Sequence, residues 1–259
     1  MGNDKLLPPL PEQRKIAAIL STWDDSIATL TNLLTAKRQQ KRGLAEALLT
    51  GKKRLPGFEG EWEEKKLGEV FYLLIGGTPS RKEATFWDVD RTTENVWLSI
   101  ADLKEKYASD SKEYISDLGA KKSNVKRIPA NTVVMSFKLT LGRAAITTRP
   151  LYTNEAICAF IPMQENVVDT EYFYQSIALM DFTDGVDIAV KGATMNKEKL
   201  TNFSFSLPPF REQKAIASIL STLDSEIASL EALKAKVQEQ KRGLMDELLT
   251  GRVRVKVEG

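Results

Sequence analysis

Three polar stretches in the middle of this chain hold the residues with most to offer chemically. The first, Gly76-Gly77-Thr78-Pro79-Ser80-Arg81-Lys82, follows the apolar run VFYLLI and offers hydroxyl, guanidinium and ammonium donors from a tight glycine turn. In the second, Thr132–Phe137 and Arg143–Thr148 read as two strands with a turn at Gly142, which gathers Ser136, Lys138, Thr140 and Arg143 at one hairpin end. The third, KGATMNKEKL over 191–200, reads as a polar loop and presents Lys191, Thr194 and Asn196. Such groups bind anions and hydrogen-bond to polar partners. They do not compose a nucleophile with its base.

Catalysis by this chain is not expected. The 259 residues contain no histidine, which removes imidazole triads and the common histidine-bearing metal sites. No GxxxxGK[ST] loop is present, and the Gly76-Gly77 pair lacks GxGxxG spacing. LPPL and LPPF approach the [DN]PP[YF] tetrad of amino-methyltransferases, but Leu7 and Leu207 stand where an Asp or Asn must accept the target amino group. The single cysteine, Cys158 in AICAFI, excludes an internal disulfide and reads as a small buried hydrophobe. No apolar run is long enough to span a membrane and no charged-then-apolar leader is seen, so a cytoplasmic protein is expected.

Charge gives a local signal only. The formal net charge is +2. Lys121, Lys122, Lys126, Arg127, Lys138, Arg143 and Arg149 fall in a stretch without acidic residues, inside a segment that is mildly acidic as a whole. This run reads either as a phosphate-attracting face or as an ordinary solvated surface.

The elements that must position these stretches come from a repeat. Residues 7–55 and 207–255 align without a gap, and roughly half of the aligned positions are identical. Each copy spaces its apolar residues by fours and threes, as in Ile16, Leu20, Trp23, Ile27, Leu30 and Leu34, which predicts a helix with a coiled-coil seam. From about Glu12 to Thr50 such a helix is a rod of roughly 58 Å. Gly51 and Gly251 suit the residue that ends it. Gly43 and Gly243, flanked by Lys41 and Arg42 and by Lys241 and Arg242, mark either a close approach by a partner protein or a tolerated kink. The fold class expected is α+β: one mixed, largely antiparallel domain (56–206) on a stalk of two long antiparallel coiled-coil helices (1–55 and 207–259).

Together the doubled LPP…EQ…IA.IL…D…I..L…QKRGL…LLTG segment, GGTPSR, MSFKLTLGRAAI, YTNEAI and KGATMNK resemble the DNA specificity subunit of type I restriction-modification systems. The resemblance covers nearly the whole chain and matches the last three of four usual parts: target domain, helix, target domain, helix. It implies a naturally shortened subunit or a fragment. It also implies a target recognition domain that reads one half of a split duplex sequence, on helices that space the halves and dock methyltransferase subunits. Through those subunits a restriction subunit would be reached indirectly. S-adenosylmethionine would bind the methyltransferase partner, leaving this chain without a cofactor. Arg81, Lys138 and Arg143 are then candidates for phosphate or a guanine edge, and Asn154 and Asn196 for adenine. Thr78, Ser80, Lys82, Ser136, Thr140, Lys191 and Thr194 would add smaller contacts. Two alternatives stand beside this: a self-dimerising DNA binder for a symmetric split site, and a coiled-coil adaptor that touches no DNA.

Overall fold

The computed structural model describes residues 7–180, 182, 187–189 and 192–256. In chain order they form α1 (Leu10–Leu49), β1 (Glu63–Lys66), the single turn α2 (Leu67–Val70), β2 (Phe71–Ile75), β3 (Val96–Leu98), β4 (Tyr107–Ala108) and β5 (Glu113–Tyr114). Then come α3 (Asp117–Lys122), β6 (Val133–Ser136), β7 (Lys138–Leu139), β8 (Ala144–Thr147), β9 (Tyr152–Thr153), β10 (Ile157–Pro162) and α4 (Thr170–Ile177). The last are β11 (Asp187–Ala189), β12 (Gly192–Thr194), α5 (Lys197–Thr201), β13 (Ser204–Leu207) and α6 (Phe210–Leu249). Two compact units result: residues up to 44 with those from 220 onward, and residues 45–219.

The first unit holds most of both long helices. Helix α1 starts two residues before the expected Glu12, because Pro11 sits in a first turn where its missing N–H costs nothing. Ile16, Leu34, Leu220 and Leu223 are buried, while Trp23, Ile27, Leu30, Ile227 and Leu230 are half-buried. Ion pairs link Asp24 to Lys241 and Lys41 to Asp224 at 2.5 Å, Lys37 to Glu226 at 2.7 Å and Arg38 to Glu231 at 2.5 Å. Numbers that rise along α1 fall along α6, so the helices run antiparallel. Beyond α6, Arg254 donates two hydrogen bonds to the Glu12 carboxylate, at 2.8 and 2.6 Å.

In the unit of residues 45–219 a five-stranded sheet, ordered β2-β10-β6-β8-β4, is covered on both faces. Leu74, Ala159, Val134 and Ala145 are direct cross-strand neighbours, and they pack on a cluster with Val96, Leu98, Ile128 and Leu151. Opposite, Phe71, Phe160, Phe173 and Phe205 stack with centroids 4.2 to 6.1 Å apart, which docks α4 and β13. Burial on both faces explains why β6 and β10 read as apolar runs rather than alternating ones. Where residues 96–100 suggest one strand, the strand stops at Leu98, because the Ser99 N–H and hydroxyl turn onto the Asp102 carboxylate. Residues 191–200, expected as a loop, include strand β12 and helix α5, whose start is capped by Asn196.

The start of α6 is anchored by buried polar groups. Glu212 accepts from Arg54 twice at 2.7 Å and from the Trp62 indole at 3.1 Å. Gln213 donates to the carbonyls of Val167 and Pro208 and accepts from the Asp169 N–H. Gly51 and Gly251 take φ of +71° and +74°, the left-handed residue that closes a helix.

Candidate nucleic-acid interface

Four segments of the 45–219 unit are tied together by their backbones. The Gly76 and Gly77 N–H groups donate to the carbonyls of Ile157 (3.2 Å) and Thr153 (2.8 Å). The Phe137 N–H donates to Ala156 at 3.0 Å, and the Phe137 carbonyl accepts from Met195 at 3.2 Å. A Cβ on Gly76 would lie 2.2 Å from Thr153 oxygens, and one on Gly77 would lie 2.6 Å from Asn124 Oδ1. The glycine pair is therefore required by close backbone approach. Thr194 stands opposite Lys138 where β12 pairs with β7.

Glu155 is the hub of this cluster. It accepts from the Thr78 hydroxyl. That bond holds its carboxyl below the usual carboxylate range against partial burial, and the nearby Lys138 and Arg81 charges help. Arg81 forks onto the Glu113 carboxylate, with one bond at 3.0 Å, and lies over the Trp87 ring at 3.7 Å. Lys138 is half-buried, 5.3 Å from the Phe137 ring. Arg143 is exposed, with its N–H donating to Ser136 Oγ at 3.2 Å, and Thr140 is exposed at the hairpin tip. Ser80 Oγ accepts from the Lys82 N–H at 3.3 Å, and both residues are exposed. The arrangement presents cations and hydroxyls from two loops, 78–82 and 138–143, on a backbone-bonded scaffold, which suits contact with phosphates and base edges.

Three expectations need correction. Ser136 is fully buried, and its hydroxyl donates to the Thr140 carbonyl, so it closes the hairpin and is not presented to a ligand. Asn154 and Asn196 each spend the carboxamide oxygen locally: Asn154 accepts from the Ala156 N–H at 3.1 Å, and Asn196 caps α5 by accepting from Lys199 at 2.7 Å. Adenine readout needs that oxygen and the amide nitrogen together. Lys41 and Lys241, expected at a partner surface, bind Asp224 and Asp24 across the helix pair. Arg42, Gly43, Arg242 and Gly243 remain exposed, and nothing in the chain lies within 4 Å of a Cβ built on either glycine. Lys191 and the Thr194 side chain lie outside the described residues. Glu155 was legible, with Asn154, as an internal hydrogen-bonding residue beside an apolar strand, and both make such bonds.

A family model described as the type I restriction modification DNA specificity domain matches residues 59–239. The chain belongs to that family. The specificity subunit of the EcoR124I/EcoR124II enzyme of Escherichia coli is 30% identical over 224 residues, covering 82% of this chain and 52% of that subunit. A putative specificity subunit, MjaX of Methanocaldococcus jannaschii, is 24% identical over 96% of this chain and 59% of its own length. The crystal structure of the HsdS subunit from Thermoanaerobacter tengcongensis shares the fold, with a TM-score of 0.63 at 16% identity over 95% of this chain and 60% of that one. This member of the type I specificity family thus spans little more than half the length of the relatives it matches. Its relatives are specificity subunits, the non-catalytic class of their systems. Among the described residues no helix is long and apolar enough to cross a membrane.

Proposed function

We propose that the chain reads one half of a bipartite duplex target through the face built around Glu155, as the specificity subunit of a type I restriction-modification assembly. The observation that carries this reading is the gathering of Arg81, Lys138, Thr140 and Arg143 from separate loops onto one backbone-bonded scaffold, in a chain of the DNA specificity family. The two 40-residue helices, each roughly 60 Å long, act as an antiparallel coiled-coil stalk that sets the spacing between half-sites. Methyltransferase subunits dock on the helices near the exposed Arg42-Gly43 and Arg242-Gly243 pairs, and a restriction subunit joins through them. S-adenosylmethionine belongs to the methyltransferase partner, and the assembly works in the cytoplasm.

The test is binding of labelled duplexes to the chain assembled with its methyltransferase subunits. Arg143→Ala should weaken binding on all sequences alike and reduce the salt slope by about one, the signature of one lost phosphate contact. Unchanged affinity and slope would remove Arg143 from the interface.

A second reading, two copies reading a symmetric site, is favoured by a difference between the repeats. Leu7 is 85% exposed and Leu10 59%, and Gln13 is exposed, while Leu207 is 8% exposed and Gln213 fully buried. The first repeat thus offers an uncovered face where a second recognition module could seat.

A further inference from the structure

We propose that Leu139 reads the C5-methyl group of a thymine in the major groove, supplying an apolar contact at the tip of the β7 hairpin. This deepens the DNA-recognition reading and rests on it. The Leu139 side chain is 62% exposed, and its backbone φ is +66°. Side chains rarely adopt that conformation, whereas glycine takes it freely. Four non-glycine residues share it among the described residues, namely Arg91, Asn131, Leu139 and Asn166, and Leu139 alone is apolar. Turn chemistry would call for glycine or asparagine here, as Gly142 at φ +79° does three residues on, and core packing would bury the isobutyl group.

The surroundings indicate what the exposed group meets. Lys138 precedes it, and Arg143 stands on the opposite arm at the same hairpin end, its carbonyl accepting from the Ser136 N–H at 2.8 Å. The tip is held in place, because Leu139 pairs with Ala193 of β12 and the Thr140 N–H donates to the Lys138 carbonyl at 2.8 Å. An apolar side chain fixed between cations fits a ligand that is anionic along its length and apolar at isolated points. In the major groove of a duplex the thymine methyl is that apolar point. Insertion between base steps would also bury Leu139, but it requires unstacking, which the thymine contact avoids.

The test uses the full chain with its methyltransferase subunits and a duplex carrying the sequence that this assembly methylates. Each thymine, on either strand, is replaced in turn by deoxyuridine, which deletes only the methyl group. One replacement should weaken binding about fivefold, the size of one buried methyl-scale contact. Leu139→Gly suits the backbone conformation and should melt no lower than the unsubstituted chain. It should bind the thymine duplex about fivefold more weakly and show no further loss with deoxyuridine. Silence at every thymine, a half-site without thymine, or full deoxyuridine sensitivity in Leu139→Gly would overturn the assignment of Leu139 alone. No sequence-preferring binding by the unsubstituted assembly would overturn the recognition reading with it.

Discussion

Among the described residues four carboxyl groups sit below the ordinary carboxylate range, each for its own reason. Glu12 is held by Arg254, Asp88 by the Thr93 N–H, Asp110 by the Tyr114 hydroxyl and Glu155 by the Thr78 hydroxyl. A depressed folded-state value means that the folded chain gives up its proton more readily than the unfolded one. The resulting stability is present above about pH 4 and is lost as pH falls through the lowered values. Urea midpoints should therefore stay level between pH 8 and 6 and drop below about pH 4. A midpoint that held steady to pH 3 would contradict these pairings. Residue types were a fair guide to which side chains could act, but not to which are free. Ser136 and Arg143 look alike as hairpin donors until folding turns the first onto Thr140 and leaves the second in water.

Between the helices, two kinds of ion pair have different meanings. Asp24–Lys241 and Lys41–Asp224 join residues common to both repeats, so a helix could make them with either copy of itself. Lys37–Glu226 and Arg38–Glu231 cannot be remade that way, because Ser26 and Thr31 stand where the glutamates would be needed, and Val237 and Gln238 where the cations would be. These two pairs favour α1 with α6 over either helix with its own copy, as flanking charges do in coiled coils. Lys37→Glu should lower stability by about 1 kcal/mol or less, as expected for exposed pairs, and adding Glu226→Lys should recover most of it. Chemical denaturation of the three chains checks this, and additive losses would refute the coupling. Helix extent was readable from apolar spacing and the closing glycines, since both are local. The antiparallel sense needed only the repeat and its connection, while the charge register needed the partner residues.

For the whole chain, intrachain pairing of α1 with α6 should leave the purified protein at its monomer mass in light scattering. Twice that mass would promote the symmetric two-copy reading. The β2-β10-β6-β8-β4 order lay beyond sequence reasoning, because it joins strands up to some ninety residues apart and nothing in a short run encodes its distant neighbour. The polar loops themselves were legible for a simpler reason: glycines and hydroxyl residues cluster where strands end. Glu155 accepts from Thr78 and comes under the nearby Lys138 and Arg81 charges only after the sheet forms. The Glu113 pairing of Arg81 has a consequence for speed. On the proposed reading, a duplex drifting up to the face finds the Arg81 guanidinium already paired with Glu113. Loose adsorption to arbitrary sequence would then gain little from Arg81, while a matched site that draws it away from Glu113 would gain its full grip. On that reading the chain should leave wrong DNA quickly and linger on the right one.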